Sequence, residues 1–175
     1  MNIRYSLVIP CYNEMETLPA LVTRLVAIFS SAEGTEIILV DNGSIDNSSV
    51  LLADATARYA FLRTVRVEVN QGYGWGILQG LSSARGDYLG WTHADMQTDP
   101  ADAVKGFALL EELDAPLALV KGRRYGRPLA DVFFSAGMGV FDSLLFCLPL
   151  WDINAQPTLF TRAFYERWRK PPHDF

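Results

Sequence analysis

The sequence is poor in the residues that build several common kinds of site. It has two cysteines and two histidines in 175 residues. Cys11 and Cys147 are too few and too far apart to indicate a disulfide framework or a zinc site. A serine hydrolase needs a GxSxG elbow and a histidine partner, whereas the histidines are His93 and His173 and no such elbow occurs. The shortage of cysteine predicts a reduced, cytoplasmic setting.

Two common nucleotide-binding loops are missing as well. The chain has no GxxxxGK[ST] loop, and the first strand candidate is followed by PCYNE rather than GxGxxG. Nucleotide hydrolysis and dinucleotide redox chemistry are therefore disfavoured. The formal net charge of −5 gives no sign of a nucleic-acid-binding face.

Long apolar runs are scarce, with one exception. Residues 132–151 have about the length of a membrane-spanning helix, but Asp142 lies in the middle of this run and Pro149 near its end. We therefore expect a helix that is buried in the domain or apposed to a membrane rather than a span. Two basic stretches, 121–127 and 166–170, could meet phosphates or anionic lipid, or form an ordinary solvated face. Peripheral contact with the inner face of a membrane is thus compatible with the sequence.

The overall composition of the chain is typical of a globular domain. Half of the residues are hydrophobic and a fifth are charged. No repeat or low-complexity linker interrupts the chain, so residues 1–175 are predicted to form a single domain. The first strand candidate begins so early that we expect no signal peptide. The last residues, WRKPPHDF, offer no closing element, and we expect the chain to be cut short of its natural terminus.

Strand-like and helix-like segments alternate along the chain. Runs of β-branched and aliphatic residues predict strands, and apolar residues at helical spacing predict helices between them. The strands are predicted at 5–9, 36–40, 62–69, 87–91 and 116–120, and helices at 16–29, 50–59, 77–84 and from about Pro100. Asp46 is expected to cap the second helix, and Thr98 or Asp99 the fourth. Such alternation is typical of an α/β fold with a mostly parallel central sheet flanked by helices.

Each predicted strand ends in a polar cluster. PCYNE, DNGS, NQGYG, HADMQ and KGRRYG follow the five strands in turn. One such cluster alone is ordinary turn chemistry, but ligands bind beyond the carboxyl ends of parallel strands. Five clusters together therefore predict a shared ligand site. Asp95 and Gln97 offer oxygen ligands that suit Mg²⁺ or Mn²⁺ on a diphosphate. Lys121, Arg123 and Arg124 would neutralise the remaining phosphate charge.

The motifs VIPCYNE, VDNGSIDNS, NQGYGWGILQGLSSARGDYLGWTHADMQTDP and KGRRYG resemble, in this order, those of the family 2 glycosyltransferases, which have the GT-A (Rossmann-like) fold. The likeness spans residues 5 to about 162. It is greatest with the branch of dolichyl-phosphate mannose synthase and other polyprenyl-phosphate glycosyltransferases. The resemblance implies an inverting, metal-assisted transfer of a sugar from a UDP- or GDP-sugar. The implied acceptor is a polyprenyl phosphate or a glycan.

The resemblance also assigns nucleotide-binding residues. These are Pro10, Tyr12, Glu14, Val40, Asn42, Asn70, Ala94 and Arg124. Val40 and Asn42 match the positions that hold the base, where the family usually has Asp-Asp and this chain has Asp41-Asn42. An amide donates as well as accepts hydrogen bonds, so the base preference could differ.

The family's Asp-x-Asp-x-Gln metal motif maps onto His93, Asp95 and Gln97, so a histidine replaces the first carboxylate. A neutral imidazole suits Mn²⁺ or another transition metal better than Mg²⁺. His93 is expected either to bind the metal, directly or through water, or to contact the nucleotide or support the other metal ligands. Loss of metal dependence is the remaining alternative.

Asp95, Arg124 and Asp152 are the expected catalytic residues. Arg124 takes the arginine position of the family's Gly-Ser-Arg motif, and Asp152 begins DINAQP, where the family has a glycine-containing stretch before the acceptor site. A sugar hydroxyl would need a base, for which Asp152 is the best-placed carboxylate. A lipid phosphate is already anionic and needs none. Helix capping is the ordinary alternative for Asp152.

Two other classes of protein stay open. A non-catalytic sugar-nucleotide-binding module would explain His93 as part of an altered metal site. A nucleotidyltransferase would share the diphosphate site, but it normally has a Gly-rich loop with Lys or Arg after the first strand, which PCYNE lacks.

Overall fold

The computed structural model describes residues 2–124, 152 and 155–168. The strands in this part of the chain are β1 (Tyr5–Cys11), β2 (Thr35–Asn42), β3 (Leu62–Val67), β4 (Tyr88–Trp91), β5 (Leu119–Lys121) and β6 (Thr158–Thr161). The helices are α1 (Leu18–Phe29), α2 (Ser48–Arg58), α3 (Tyr73–Ser83), α4 (Ala101–Leu113) and α5 (Arg162–Tyr165).

The six strands form one sheet in the order β3-β2-β1-β4-β6-β5. β1 pairs in parallel with β2 and β4, and β2 with β3. β6 pairs antiparallel with both β4 and β5, so β5 runs in the same direction as β4. The predicted α/β fold with a mostly parallel sheet is confirmed.

The central strands are buried on both faces, as their continuous apolar runs predict. Leu7 and Leu39 belong to a core cluster that includes residues of α1, α2 and α4. Val8 and Val40 belong to the opposite cluster, which includes residues of α3 and aromatic side chains near the end of the described chain. Helices therefore cover both faces of the sheet, and the loops at its carboxyl edge are left to form a site.

Several predicted boundaries were wrong. β6 was not predicted, and β5 covers 119–121 instead of 116–120, while β3 ends at Val67 instead of Val69. The short strands β5 and β6 exist because each pairs with a neighbour, which is a tertiary effect that local sequence does not carry. The first helix begins at Leu18 instead of Glu16, and the second spans 48–58 instead of 50–59.

The third helix begins at Tyr73, four residues before the predicted start at Ile77. Glycine has a low helix propensity, so the stretch GYGWG predicts a loop. Gly76 in this stretch instead lies against the sheet, where an added Cβ would be 3.1 Å from Asn42 Nδ2 and 3.3 Å from Pro10 Cβ. A Cβ on Gly80 would overlap Cγ1 of Val8 and lie 2.9 Å from Cγ2 of Val40.

Gly80→Ala is therefore expected to destabilise the fold by about 1–3 kcal/mol, because the added methyl group is forced into a packed core. Helix propensity alone would favour alanine by at most about 1 kcal/mol. Ser82→Ala, on the exposed side of the same helix, is the matched control. Urea unfolding of both variants checks this, and equal stability of the two would contradict the close packing.

The predicted caps Asp99 and Asp46 each accept a hydrogen bond from the first N–H of the helix that follows. Asp99 Oδ1 accepts a hydrogen bond from the N–H of Ala101, the first residue of α4, at 3.0 Å, whereas Pro100 lies just before the helix rather than in its first turn. The Arg24 guanidinium binds both oxygens of Asp99 and is the main reason that the pKa of this carboxyl lies below its usual value. Asp46 Oδ1 accepts from the N–H of Ser48, which begins α2.

The predicted apolar helix at 132–151 lies outside the described residues. Among the residues that the structure does describe, no helix combines the length and the apolar character needed to cross a membrane.

Candidate active site

A cleft of about 320 Å³ opens beyond the carboxyl ends of the parallel strands. It is lined by Pro10, Cys11, Tyr12, Glu14, Asn42, Asn70, Gly72, Tyr73, His93, Ala94 and Asp95. These residues lie at the carboxyl ends of β1 and β2, in the segments that follow β1, β3 and β4, and at the start of α3. Parallel strands bring their carboxyl ends to one edge of a sheet, and four of the five polar clusters from the sequence meet here as a result.

Eight predicted site residues lie in this lining. They are Pro10, Tyr12, Glu14, Asn42, Asn70, His93, Ala94 and Asp95. Val40, Gln97, Arg124 and Asp152 are not among the lining residues. Val40 is fully buried in β2 and packs under α3, so its side chain is part of the core.

Hydrogen bonds join the loop after β1 to the loop after β2. Asn13, at a positive φ of 54°, donates its N–H to Ser44 Oγ at 3.2 Å and accepts from the N–H of Ile45 at 2.9 Å. The N–H of Glu14 donates to Ser48 Oγ at 2.9 Å, and that of Met15 to Asp46 Oδ2 at 3.2 Å. These bonds fix the backbone that presents the side chains of residues 12 and 14 to the cleft.

Asp46 accepts hydrogen bonds from the N–H groups of Met15 and Ser48 and so ties the two loops together. Hydrogen bonding from Ser48 is the main cause that lowers the pKa of Asp46, and the N–H of Met15 adds to it. A lowered folded-state pKa stabilises the protein at pH above the unfolded value, near 4, and this stabilisation is lost as pH falls through the folded pKa.

Asp46→Ala is therefore expected to melt at a lower temperature than wild type at pH 7, with a gap that narrows toward pH 3. Thermal melts across this range provide the measurement, and Glu33→Ala, which removes an exposed carboxylate elsewhere, is the control. A constant gap from pH 7 to pH 3 would mean that the Asp46 charge does not hold the loops.

The end of β2 places one buried carboxylate and one buried amide side by side. Asp41 is 1% exposed and accepts hydrogen bonds from Ser44 N–H at 3.0 Å, Ser49 Oγ at 2.6 Å and Arg66 Nη1 at 2.5 Å. Asn42 is 2% exposed, and its Nδ2 donates to the Gly72 carbonyl at 2.9 Å. Asn42 Oδ1 is buried without a hydrogen-bond partner among the described residues. Asp41 is thus committed to the fold, whereas Asn42 is also a lining residue of the cleft.

The His93 ring stacks on the ring of Tyr73, with centroids 4.9 Å apart and planes 18° apart. The sequence analysis did not select Tyr73 as a site residue. Its place in the polar cluster NQGYG, directly after a predicted strand, was the feature that could have indicated it. The Tyr73 hydroxyl is buried and has no hydrogen-bond partner in the described part of the chain. Burial raises the pKa of Tyr73, and the charge of Asp95 raises it further.

Asp95 is exposed within the cleft. Its Oδ1 accepts a hydrogen bond from the backbone N–H of Gln97 at 3.0 Å, across a turn in which Met96 has a positive φ of 60°. The Gln97 side chain is exposed and does not line the cleft. The residues that the structure describes contain no group of three or more His, Cys, Asp or Glu side chains that could hold a metal ion.

Arg124 and Asp152 bind each other. Asp152 Oδ1 accepts from Arg124 Nε at 2.8 Å and Nη2 at 2.5 Å, and its Oδ2 accepts from the Arg124 backbone N–H at 2.8 Å. Lys121 and Arg123 line a different cavity, between α4 and the β5–β6 pair. Burial lowers the pKa of Lys121. The fifth polar cluster is therefore at the predicted edge of the sheet but not in the lining of the cleft.

Comparisons with known proteins indicate the family to which this chain belongs. The model of Glycosyl transferase family 2 matches residues 6–165. The undecaprenyl-phosphate 4-deoxy-4-formamido-L-arabinose transferase of Pseudomonas fluorescens (strain SBW25) is 44% identical over 100 residues, which is 55% of this chain and 29% of that protein. The chain thus matches less than a third of this curated relative's length.

Two solved structures are similar in fold. A mannosyltransferase from Pyrobaculum calidifontis, in complex with GDP-Man and Mn²⁺, is 18% identical with a TM-score of 0.72, over 99% of this chain and 49% of that one. S. aureus TarS in complex with UDP is 20% identical with a TM-score of 0.59, over 73% of this chain and 38% of that one. Both likenesses support the GT-A fold, and the family match over most of the sequence identifies the chain as a member of the family 2 glycosyltransferases.

Proposed function

We propose that the cleft binds a nucleoside diphosphate sugar and that the protein transfers the sugar to a polyprenyl phosphate, with inversion at the anomeric carbon. The observation that carries this proposal is the convergence of four strand-end segments, with Asp95 and His93, on one cleft. The curated relative is named as a transferase that acts on undecaprenyl phosphate. UDP and GDP-Man are the nucleotides found in the two solved structures.

The donor nucleotide is assigned to the side of the cleft built by the loops after β1 and β2. Tyr12 is 45% exposed there, so its ring is available to a base or ribose. Asn42 contributes an acceptor oxygen, because its Nδ2 is already bound to Gly72. The imide N–H of uracil and the N–H groups of guanine are both donors that would satisfy such an acceptor. The diphosphate is then assigned to the side that holds His93 and Asp95.

A divalent metal fits this side of the cleft when phosphate oxygens complete its ligands. Mg²⁺ and Mn²⁺ are commonly held by one or two carboxylates together with substrate phosphates, and Asp95 supplies one carboxylate. The His93 imidazole favours Mn²⁺. Gln97 contributes by fixing the Asp95 carboxylate through its backbone N–H. When bound, the metal ion would neutralise charge on the departing diphosphate.

The proposed reaction is a single displacement. A phosphate oxygen of the acceptor forms a bond to the anomeric carbon while the bond between that carbon and the diphosphate oxygen breaks, and the nucleoside diphosphate leaves with the electron pair. Attack from the opposite face inverts the configuration. An anionic phosphate needs no base, which agrees with a site in which Asp152 is held by Arg124 rather than lining the cleft. The lipid acceptor would bring the protein to a membrane surface.

The test is transfer itself. The full chain is incubated with UDP- and GDP-sugars, Mn²⁺ and detergent-dispersed undecaprenyl phosphate, and sugar in the organic phase and free nucleoside diphosphate are measured together. We expect equal molar amounts of lipid-linked sugar and free nucleoside diphosphate, and we expect the formation of both to depend on the lipid. Binding of the nucleotide without any product in either phase would instead favour the non-catalytic binding module. Release of pyrophosphate when the protein is given a nucleoside triphosphate and a sugar 1-phosphate instead would indicate a nucleotidyltransferase.

A further inference from the structure

The cleft contains a buried phenol that the proposed reaction has not used. Tyr73 is the first residue of α3 and lines the cleft, and its hydroxyl is buried without a hydrogen-bond partner in the described residues. An unpaired buried hydroxyl costs roughly 1–3 kcal/mol, so nearly all such groups in proteins are paired. A ligand in the cleft would supply the missing partner.

The position of Tyr73 indicates which part of a ligand this is. Its ring stacks on His93, and the charge of Asp95 acts on its hydroxyl. These two residues form the side of the cleft assigned above to the diphosphate. Tyr73 also begins an 11-residue helix whose preceding residue is Gly72, with no side-chain cap. The positive end of the α3 dipole therefore lies at the same wall, where it favours an anionic group.

We propose that Tyr73 is a further donor-binding residue, whose hydroxyl donates a hydrogen bond to a phosphate oxygen of the nucleoside diphosphate. This inference rests on the proposed function. At the same time the stacked ring holds the His93 imidazole against the α3 end of the cleft. The hydroxyl and the ring have separate roles, and this makes the inference testable with a single-atom change.

Tyr73→Phe removes the hydroxyl and keeps the ring stack. Because a hydrogen bond to a charged group contributes about 1.5–3 kcal/mol, the affinity of the full chain for UDP or GDP, measured by calorimetry with Mn²⁺, is expected to fall roughly 10- to 100-fold. The free variant is expected to melt at or above the wild-type temperature, since the lost hydroxyl has no partner among the described residues. Tyr165→Phe removes a phenolic hydroxyl outside the cleft and is expected to leave the affinity unchanged.

A second arm locates the contact along the nucleotide. The matching nucleoside should bind wild type and Tyr73→Phe equally, because it lacks the phosphates that the hydroxyl meets. Equal loss for nucleoside and diphosphate would overturn the assignment to phosphate. Unchanged affinity for the diphosphate would overturn the role of Tyr73 while leaving the proposed function intact. If wild type binds neither UDP nor GDP, the proposed function fails, and the inference falls with it.

Discussion

Asp95→Ala is expected to lower kcat/KM for sugar transfer at least roughly 100-fold, because charge stabilisation by a metal ion contributes several kcal/mol to the transition state. Asp95 is the exposed carboxylate of the His93–Gln97 segment and lines the cleft. Asp95 accepts a local hydrogen bond from the N–H of Gln97, so removal of its side chain is expected to cost the fold little. The melting temperature of the free protein is therefore expected to stay close to that of wild type.

Asp102→Ala is the matched control for Asp95→Ala. It also removes a surface carboxylate, but one that is paired with Lys105 on α4 and outside the cleft lining. Transfer is expected to continue at the wild-type rate in this variant. Steady-state rates over a range of Mn²⁺ concentrations provide the comparison. If Asp95→Ala retains full Mn²⁺-dependent transfer, the metal is held elsewhere and the assignment of this side of the cleft is wrong.

Arg124→Ala is expected to lower kcat/KM for transfer by roughly 10- to 100-fold, the effect of losing a hydrogen bond between charged groups. A guanidinium has five N–H donors, and Asp152 engages the Nε and Nη2 groups. The Arg124 side chain is 34% exposed, so it can still meet a phosphate at the carboxyl edge of the sheet. Arg124→Lys keeps the charge without the planar fork and should restore only part of the rate.

Asp152→Asn separates the two acceptor classes. A lipid phosphate needs no base, so we expect this variant to keep most of the wild-type rate. A base for a sugar hydroxyl would contribute about 10²- to 10⁴-fold. A loss of that size, with Arg124→Ala affecting the rate less, would identify Asp152 as a base and a hydroxyl-bearing glycan as the acceptor.

The parts of the fold that the sequence predicts well are those determined by local residues. β1 and β2 are continuous apolar strands, and polar clusters follow them at once, so both the parallel sheet and the edge that holds the cleft were predictable. α3 was predicted too short because GYGWG is a poor helix by propensity, whereas Gly76 in this stretch lies close to Asn42 and Pro10 of the sheet. Tertiary packing therefore overrides the low helix propensity of this stretch.

The candidate site shows the same difference between features set by local sequence and features set by tertiary packing. Asp95 and His93 were expected in the cleft, because their segment leaves a predicted strand. The partnership of Arg124 with Asp152 was not, because 28 residues separate them in sequence and no spacing rule joins them. The burial of the Tyr73 hydroxyl without a partner in the described part of the chain could not be predicted either, since it depends on tertiary packing. The ends of predicted strands indicate where a site lies, whereas the hydrogen-bond partners within it become known only from the folded structure.

The most direct test of the account is to map where a nucleoside diphosphate protects the backbone. Hydrogen–deuterium exchange of the full chain would be measured with and without UDP or GDP and Mn²⁺. We expect slower exchange at residues 11–15, 43–48, 68–74 and 92–97, which surround the cleft, and unchanged exchange at 102–109 on α4. Protection centred on α4 and the adjoining cavity, or saturation by nucleotide without protection at 92–97, would contradict it.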